Sequence, residues 1–296
     1  MADHAIEGLV DLHVHFMPQN VLDKVWAYFD AADDAYGRRW PIHYRLPEPE
    51  RVEALRSLGV TTFAPLVYAH RPGMARWLTE WVIAFADRTP GAVPTAALWP
   101  DDDVLDDLTA ALDAGARIVK THVQVGGFDP REKVLDPAWG LLAEAAVPVV
   151  VHCGDGPRRG AFTGLGIFEE VLRRHPRLTA VLAHAGLPDY SGALDLALRY
   201  PRVHLDTTMV GTAFTEAFAP LPPDWTTRLV DVADRIALGS DFPNIPYPYA
   251  DQLAAIEAWA AADDRLGAPF LQAVLHDTPA RLLGLDPPPQ PPPPSR

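Results

Sequence analysis

Short runs of β-branched and other apolar residues alternate along the chain with longer stretches in which apolar positions recur every three or four residues. The short runs read as eight strands, at about 8–15, 60–67, 93–98, 117–122, 147–152, 179–184, 203–207 and 235–240. The longer stretches read as amphipathic helices. In 48–58, Val52, Leu55 and Leu58 fall on one face; in 74–87, Trp77, Leu78, Trp81, Val82 and Phe85 do so. The stretch 101–114 opens on aspartates, as a helix N-terminus prefers, and stops before Gly115. Further helices fit 137–145, 166–174, 191–199, 224–232 and 249–261, with two more near 269–275 and 278–283.

Strand–helix alternation without a repeat or a break in composition implies parallel βαβ units. Eight such units close into a (β/α)₈ TIM barrel, and 296 residues suit one such barrel. We therefore expect one catalytic domain over 1–285. An open doubly wound sheet would more often carry a glycine-rich phosphate turn after its first strand. Here the first strand ends in His-Val-His-Phe, and the chain holds no G-x-G-x-x-G, Walker A or G-x-S-x-G motif.

One connection is long. Residues 16–47 precede the first strong helix and contain Trp26, Tyr28, Phe29, Tyr36, Trp40 and Tyr44, with a helix expected near 20–29. Long excursions after barrel strands tend to be lids or substrate walls, so 16–47 is expected to be an inserted lid; a homodimer contact is the alternative. The loop 208–223 is a second expected wall. The last residues, 286–296, are rich in proline and are expected to form a disordered, extended tail.

Composition narrows the partners. A net charge of −14 argues against nucleic acid and anionic membrane surfaces, whose partners carry a basic footprint. It leaves room for a small-molecule substrate, because a metal and a few local cations can invert the potential inside a pocket. A lone Cys153 excludes an internal disulfide, and with no apolar run of about 18 residues and no signal peptide in view the expected location is cytoplasmic.

The candidate chemistry is positional. His13, His15, His152, His184 and Asp241 each fall at the C-terminal end of an expected strand. In a parallel barrel those ends share one face, where active sites are built. Strand alternation places Asp11, His13 and His15 on one side, with Leu12 and Val14 turned to the helices. Three imidazoles and a carboxylate (His13, His15, His152 and Asp241) suit one divalent metal ion, with Zn as first choice and Mn, Fe or Co as alternatives. Such an ion lowers the pKa of a bound water from about 15.7 toward 7. His184 and Asp241 are then the catalytic acid–base candidates. Lys120 and His122 end the fourth strand, as substrate contacts or, with a carboxylated Lys120, as a bridge between two ions. Arg158 and Arg159 follow strand five and could meet a substrate carboxylate. His43 and His70 lie near the same face. Cys153 is expected to point into the helix layer as an inert thiol.

The ordered motifs DLHVH, VKTHVQVGGFDP, VVVHCG, LAHAG, GSDFP and DTPARLLGL together resemble the amidohydrolase superfamily, over about Val10 to Leu285. The short, one-metal style is similar to its amidohydrolase-related branch. That branch holds hydrolases as well as non-oxidative decarboxylases acting on aminocarboxymuconate semialdehyde and on hydroxybenzoates. The resemblance implies a (β/α)₈ barrel, a metal on His13, His15, His152 and Asp241, and a water activated or oriented by His184. It leaves two reactions open. One is hydrolysis of an ester, lactone or amide; the other is decarboxylation of a small, planar acid.

Overall fold

The computed structural model describes residues 8–33 and 37–285; Tyr36 and the proline-rich stretch 286–296 lie outside them. Eight parallel strands follow one another around a barrel: β1 (Leu9–Val14), β2 (Val60–Pro65), β3 (Thr95–Ala97), β4 (Ile118–His122), β5 (Val149–His152), β6 (Ala180–Leu182), β7 (Val203–Asp206) and β8 (Ile236–Ala237). Strands β3 to β8 pair in sequence order, and β1 pairs with β2. Main-chain bonds close the two remaining seams. The Leu12 N–H donates to the Leu238 carbonyl at 2.8 Å, and the Val93 N–H to the Phe63 carbonyl at 2.9 Å. The protein is a (β/α)₈ TIM barrel.

Its outer layer consists of α2 (Glu48–Ser57), α3 (Met74–Arg88), α4 (Val104–Asp113), α5 (Asp136–Ala145), α6 (Leu165–Arg174), α7 (Tyr190–Arg199), α8 (Trp225–Leu229) and α9 (Tyr249–Ala262). Two short helices, α10 (Gly267–Gln272) and α11 (Thr278–Leu282), close the chain. Helix α6 shows why these segments fold as they do. Leu165, Phe168, Val171 and Leu172 are buried at helical spacing, and Arg173 and Arg174 sit in the last turn, where cations favour the helix dipole. Apart from Thr61 and Thr62 in β2, the strands are almost wholly buried on both faces, as parallel strands are. In β5, Val149 and Val151 pack outward among Trp139, Phe168 and Leu182. Val150 packs inward with Ile118, Val181 and Ala237. Cys153 is buried in the outer cluster, and burial pushes its thiol up to about 12.

Simple alternation fails in β1. Leu12, expected to face the helices, packs inside the barrel with Ile118, Val150 and Val181. Asp11 instead turns to the outer layer, where it accepts from Tyr249 Oη at 2.9 Å and Ser240 Oγ at 2.6 Å. The cause is a shift in the β1–β2 register between Asp11 and Val14. Such a bulge re-aims the side chains that follow it. Val10 and Leu12 point inward, and His13, out of alternation with Leu12, does so too.

The excursion 16–47 begins with the expected helix, α1 (Gln19–Asp30). Two tryptophans tie it to the barrel rim. Trp26 Nε1 donates to Asn244 Oδ1 at 3.1 Å, and Trp40 Nε1 to the Asn244 carbonyl at 2.7 Å. The fully buried Arg51 of α2 lays its guanidinium against the rings of Phe16 and Trp26, 5.0 and 5.8 Å from their centroids.

Candidate active site

The C-terminal ends of the strands enclose a cavity of about 550 Å³. His13, His15, Lys120, His122, His152, His184 and Asp241 all line it. Strands six and eight end earlier than expected. His184 and Asp241 sit just beyond them in left-handed turns, with φ of 54° and 65°. Those turns, rather than strand pleating, aim their side chains. The turn after β8 is drawn onto β1: the Asp241 N–H donates to the His13 carbonyl at 2.8 Å, and the His15 N–H to the Phe242 carbonyl at 2.6 Å. Gly239 makes this approach feasible. A Cβ there would lie 2.6 Å from Thr208 Oγ1 and 2.9 Å from His13 Cβ.

His13, His15 and Asp241 form a cluster whose ligand-capable atoms lie within 4.8 Å of one another. Asp241 Oδ1 is 2.8 Å from His15 Nε2 and 3.6 Å from His13 Nε2. The far nitrogen of each ring is engaged. His15 Nδ1 donates to the Leu66 carbonyl at 2.8 Å, and His13 Nδ1 to Asp206 Oδ2 at 2.8 Å. With Nδ1 engaged from behind, each ring is oriented so that Nε2 is the atom turned to the shared space. The donor set of two imidazoles and a carboxylate fits a divalent cation.

His152 lies in the same cavity but outside that three-residue cluster. Its Nε2 donates to the Gly156 carbonyl at 2.9 Å, which leaves Nδ1 as its lone pair. The ring stacks on His122, with centroids 3.9 Å apart and planes 17° apart, because the two residues are register partners in β4 and β5. His122 Nδ1 accepts from the Val125 N–H at 3.3 Å, so its neutral ring offers an Nε2–H donor. His184 Nδ1 donates to the Thr208 carbonyl at 3.3 Å, which leaves Nε2 as a base.

Burial sets the charges. It pushes His122 and His152 well below the usual imidazole range and brings His13 down to about 3, with Lys120 adding to the effect in each case. His184 is lowered too, chiefly by burial. Lys120, 1% exposed and 3.2 Å from His13 Nε2, falls to about 8 because burial outweighs the pull of Asp206 and Asp241. Burial opposes the charge on Asp206 and Asp241, but neighbouring imidazoles hold both carboxyls well below the ordinary range.

Arg158 and Arg159 are not brought to the cavity. After Pro157, which lines it, the loop turns outward; both arginines are exposed, and Arg159 lies 3.8 Å from Asp155. His70 lines the mouth, whereas the exposed His43 packs against Tyr44. Of the expected walls, 16–47 contributes Val25, Tyr28, Phe29 and Trp40, and 208–223 contributes Met209.

Sequence reasoning missed Asp206. Wholly buried, it holds His13 and accepts from the backbone N–H groups of His184 at 2.7 Å and Thr208 at 3.2 Å. Its signal was present: a carboxylate at the end of an apolar strand, VHLD. Lys24 and Arg71, also at the mouth, belong to no periodic pattern.

A family model described as Amidohydrolase matches residues 10–285. No curated protein matches the chain. Among solved structures, a TIM-barrel protein from Bordetella bronchiseptica shares 17% identity over 93% of this chain and 98% of its own, with a TM-score of 0.68. An amidohydrolase from Burkholderia multivorans with bound zinc shares 18% identity over 93% and 99%, with a TM-score of 0.65. A probable 2-pyrone-4,6-dicarboxylic acid hydrolase from Acinetobacter baumannii, with citric acid bound, shares 13% over 94% and 99%, with a TM-score of 0.57. The match over 10–285, on a barrel whose strand ends gather His13, His15 and Asp241, identifies this chain as a member of the amidohydrolase family.

Proposed function

We propose that the protein is a metal-dependent hydrolase that cleaves an ester, lactone or amide bond of a small organic substrate. The observation that carries this reading is the convergence of His13 Nε2, His15 Nε2 and Asp241 Oδ1, with each imidazole locked from behind by a hydrogen bond. His152, through Nδ1, is the fourth ligand in this reading, and Zn²⁺ is the favoured ion. When bound, such an ion supplies Lewis acidity that brings a water molecule's pKa toward about 7.

The chain's own residues divide the remaining work. His184, neutral and with Nε2 free, accepts the proton of the attacking water. His122 Nε2–H is placed to donate to the substrate carbonyl oxygen as negative charge builds on it. Breakdown of the tetrahedral centre breaks the bond to the leaving alcohol or amine, which takes the proton back from His184. The buried Asp206 keeps His13 in the tautomer whose Nε2 faces the site. The excursion 16–47 acts as a lid that limits water.

A panel of lactones, esters, amides and hydroxybenzoates, followed by both acid release and CO₂ release, tests the reading. Acid release that requires metal is the expected result. CO₂ release instead would move the protein to the carboxy-lyase side of its family. A metal-free preparation that turns over substrate at full rate would overturn the proposal.

A further inference from the structure

The charge balance around the cavity runs opposite to that of the chain. Asp and Glu number 39 against 25 Lys and Arg, yet Asp241 is the only carboxylate among the described residues lining the cavity. It is already paired with His15 at 2.8 Å. Three cationic side chains line the same space: Lys120 at the floor, Lys24 and Arg71 at the mouth.

The mouth pair comes from two separate elements. Lys24 projects from α1, and Arg71 lies in the loop between β2 and α3. Both line the cavity together with His70, whose imidazole is lowered first by burial and then by these two charges. Neither side chain makes an ion pair or a hydrogen bond among the described residues. The lining is rich in aromatic rings, with the exposed Tyr28 and Trp77 at the mouth and the more buried Phe29, Trp40 and Tyr68 deeper in. A cavity with an ionic floor, aromatic sides and a cationic rim favours a planar body with charge at both ends.

We infer that Lys24 and Arg71 form an anion subsite, and that the substrate is a planar acid carrying a carboxylate at the end remote from the bond that breaks. The inference rests on the hydrolase reading for the orientation of the substrate, with the reacting end at His13, His15 and Asp241. Electrostatics supplies a second reason for such a rim. A chain of net charge −14 repels an acidic substrate at long range, and cations at the entrance reverse that field where the ligand enters. Arg71 can grip a carboxylate with two parallel N–H donors, and Lys24 adds a point charge. Both remain solvated, so their contribution is screened by salt.

The test uses terephthalate and 4-carbamoylbenzoate, which share shape and one carboxylate and differ by one charge. Calorimetry on the metal-loaded protein at low salt is expected to show terephthalate binding about tenfold more tightly, equivalent to about 1.4 kcal/mol. In the double variant Lys24→Gln/Arg71→Gln the ratio should fall to near one, with metal content and melting temperature unchanged. Each single variant should lose part of the preference, which covers the case of a double variant that folds poorly. Raising the salt should shrink the wild-type ratio. A ratio near one in the wild type, or one that stays tenfold in well-folded variants, overturns the subsite. Repeating the titration on chelated protein separates the two readings. If the metal assignment holds, chelation weakens both ligands together; if it fails, chelation changes neither affinity, and failure of the subsite shows only in their ratio.

Discussion

The lower and upper halves of the barrel interior are made from the same strands and behave as two different materials. In the lower half Leu12, Ile118, Val150, Val181 and Ala237 form a closed apolar cluster, sealed by Ala280, Leu282 and Leu283. Two residues further along β4 and β5 stand Lys120 and His152, and His184 follows β6. In the lower half burial stabilises, by about 1.5–3 kcal/mol for each fully buried aliphatic side chain. In the upper half the same burial destabilises charge, and neighbouring groups must offset it. The upper half therefore holds neutral imidazoles, a lysine lowered to about 8 and two carboxylates kept ionised by their neighbours. A barrel strand thus spends its lower inward positions on stability and its upper ones on chemistry. The two halves should respond to mutation independently.

The largest effect expected lies in the upper half. Asp241→Asn removes the carboxylate from the three-residue cluster while keeping its shape. Turnover should fall by about a thousandfold or more, equivalent to about 4 kcal/mol in the barrier. Bound metal, measured by elemental analysis, should fall with it. The melting temperature should hold or rise, since a buried charge is removed. Retained turnover would remove Asp241 from the centre.

In the lower half Ile118→Ala should reverse that pattern. It leaves a cavity under the site and should cost about 2–5 kcal/mol in denaturant unfolding. Metal stoichiometry should stay that of the wild type. Loss of metal together with stability would show that the halves are coupled, and the comparison above would fail.

Asp206→Asn probes the support behind His13, a ligand in the proposed reading, rather than His13 itself. The amide can still accept at Oδ1 but loses the charge that His13 Nδ1–H points to. Metal affinity should weaken about 10–100-fold, as outer partners of ligating histidines typically show. A competition titration with a chelator reads this directly, and unchanged affinity would make Asp206 a structural cap for the His184 turn alone.

The same contrast explains what the sequence made legible. The lower half and the outer layer follow from repeating patterns, so all eight strands and helices such as 48–58 and 74–87 fall within a few residues of the expected bounds. The upper half is read from residue type at strand ends, which picks out His13, His15, His152, His184 and Asp241 as lining residues. Pattern alone could not show that β1 slips between Asp11 and Val14, because a bulge leaves the apolar alternation of LVDLHV unchanged in print. Nor could it tell Arg158 and Arg159 from Arg71. All three are loop arginines, and only the path of the chain decides which of them meets the cavity.

The smallest effect concerns His204, buried on β7 at a second cavity lined by Pro148, Arg202, Arg235, Arg281 and Leu282, away from the candidate site. Burial lowers its pKa to about 4, although the Arg202 carbonyl, 3.2 Å from Nδ1, favours the protonated ring. The folded value lies below the unfolded one, so between pH 4 and the model-compound value of about 6.5 the unfolded chain binds more protons. The stability this neutral ring supplies is complete above about pH 6.5 and is lost as pH falls toward 4. The imidazoles above it carry shifts in the same direction, so the wild-type slope is a sum. Replacing His204 with asparagine removes one contribution from that sum. The fall in unfolding free energy between pH 7 and pH 5 should shrink by about 1–2 kcal/mol in His204→Asn. An unchanged slope would mean that this imidazole reaches solvent when it protonates.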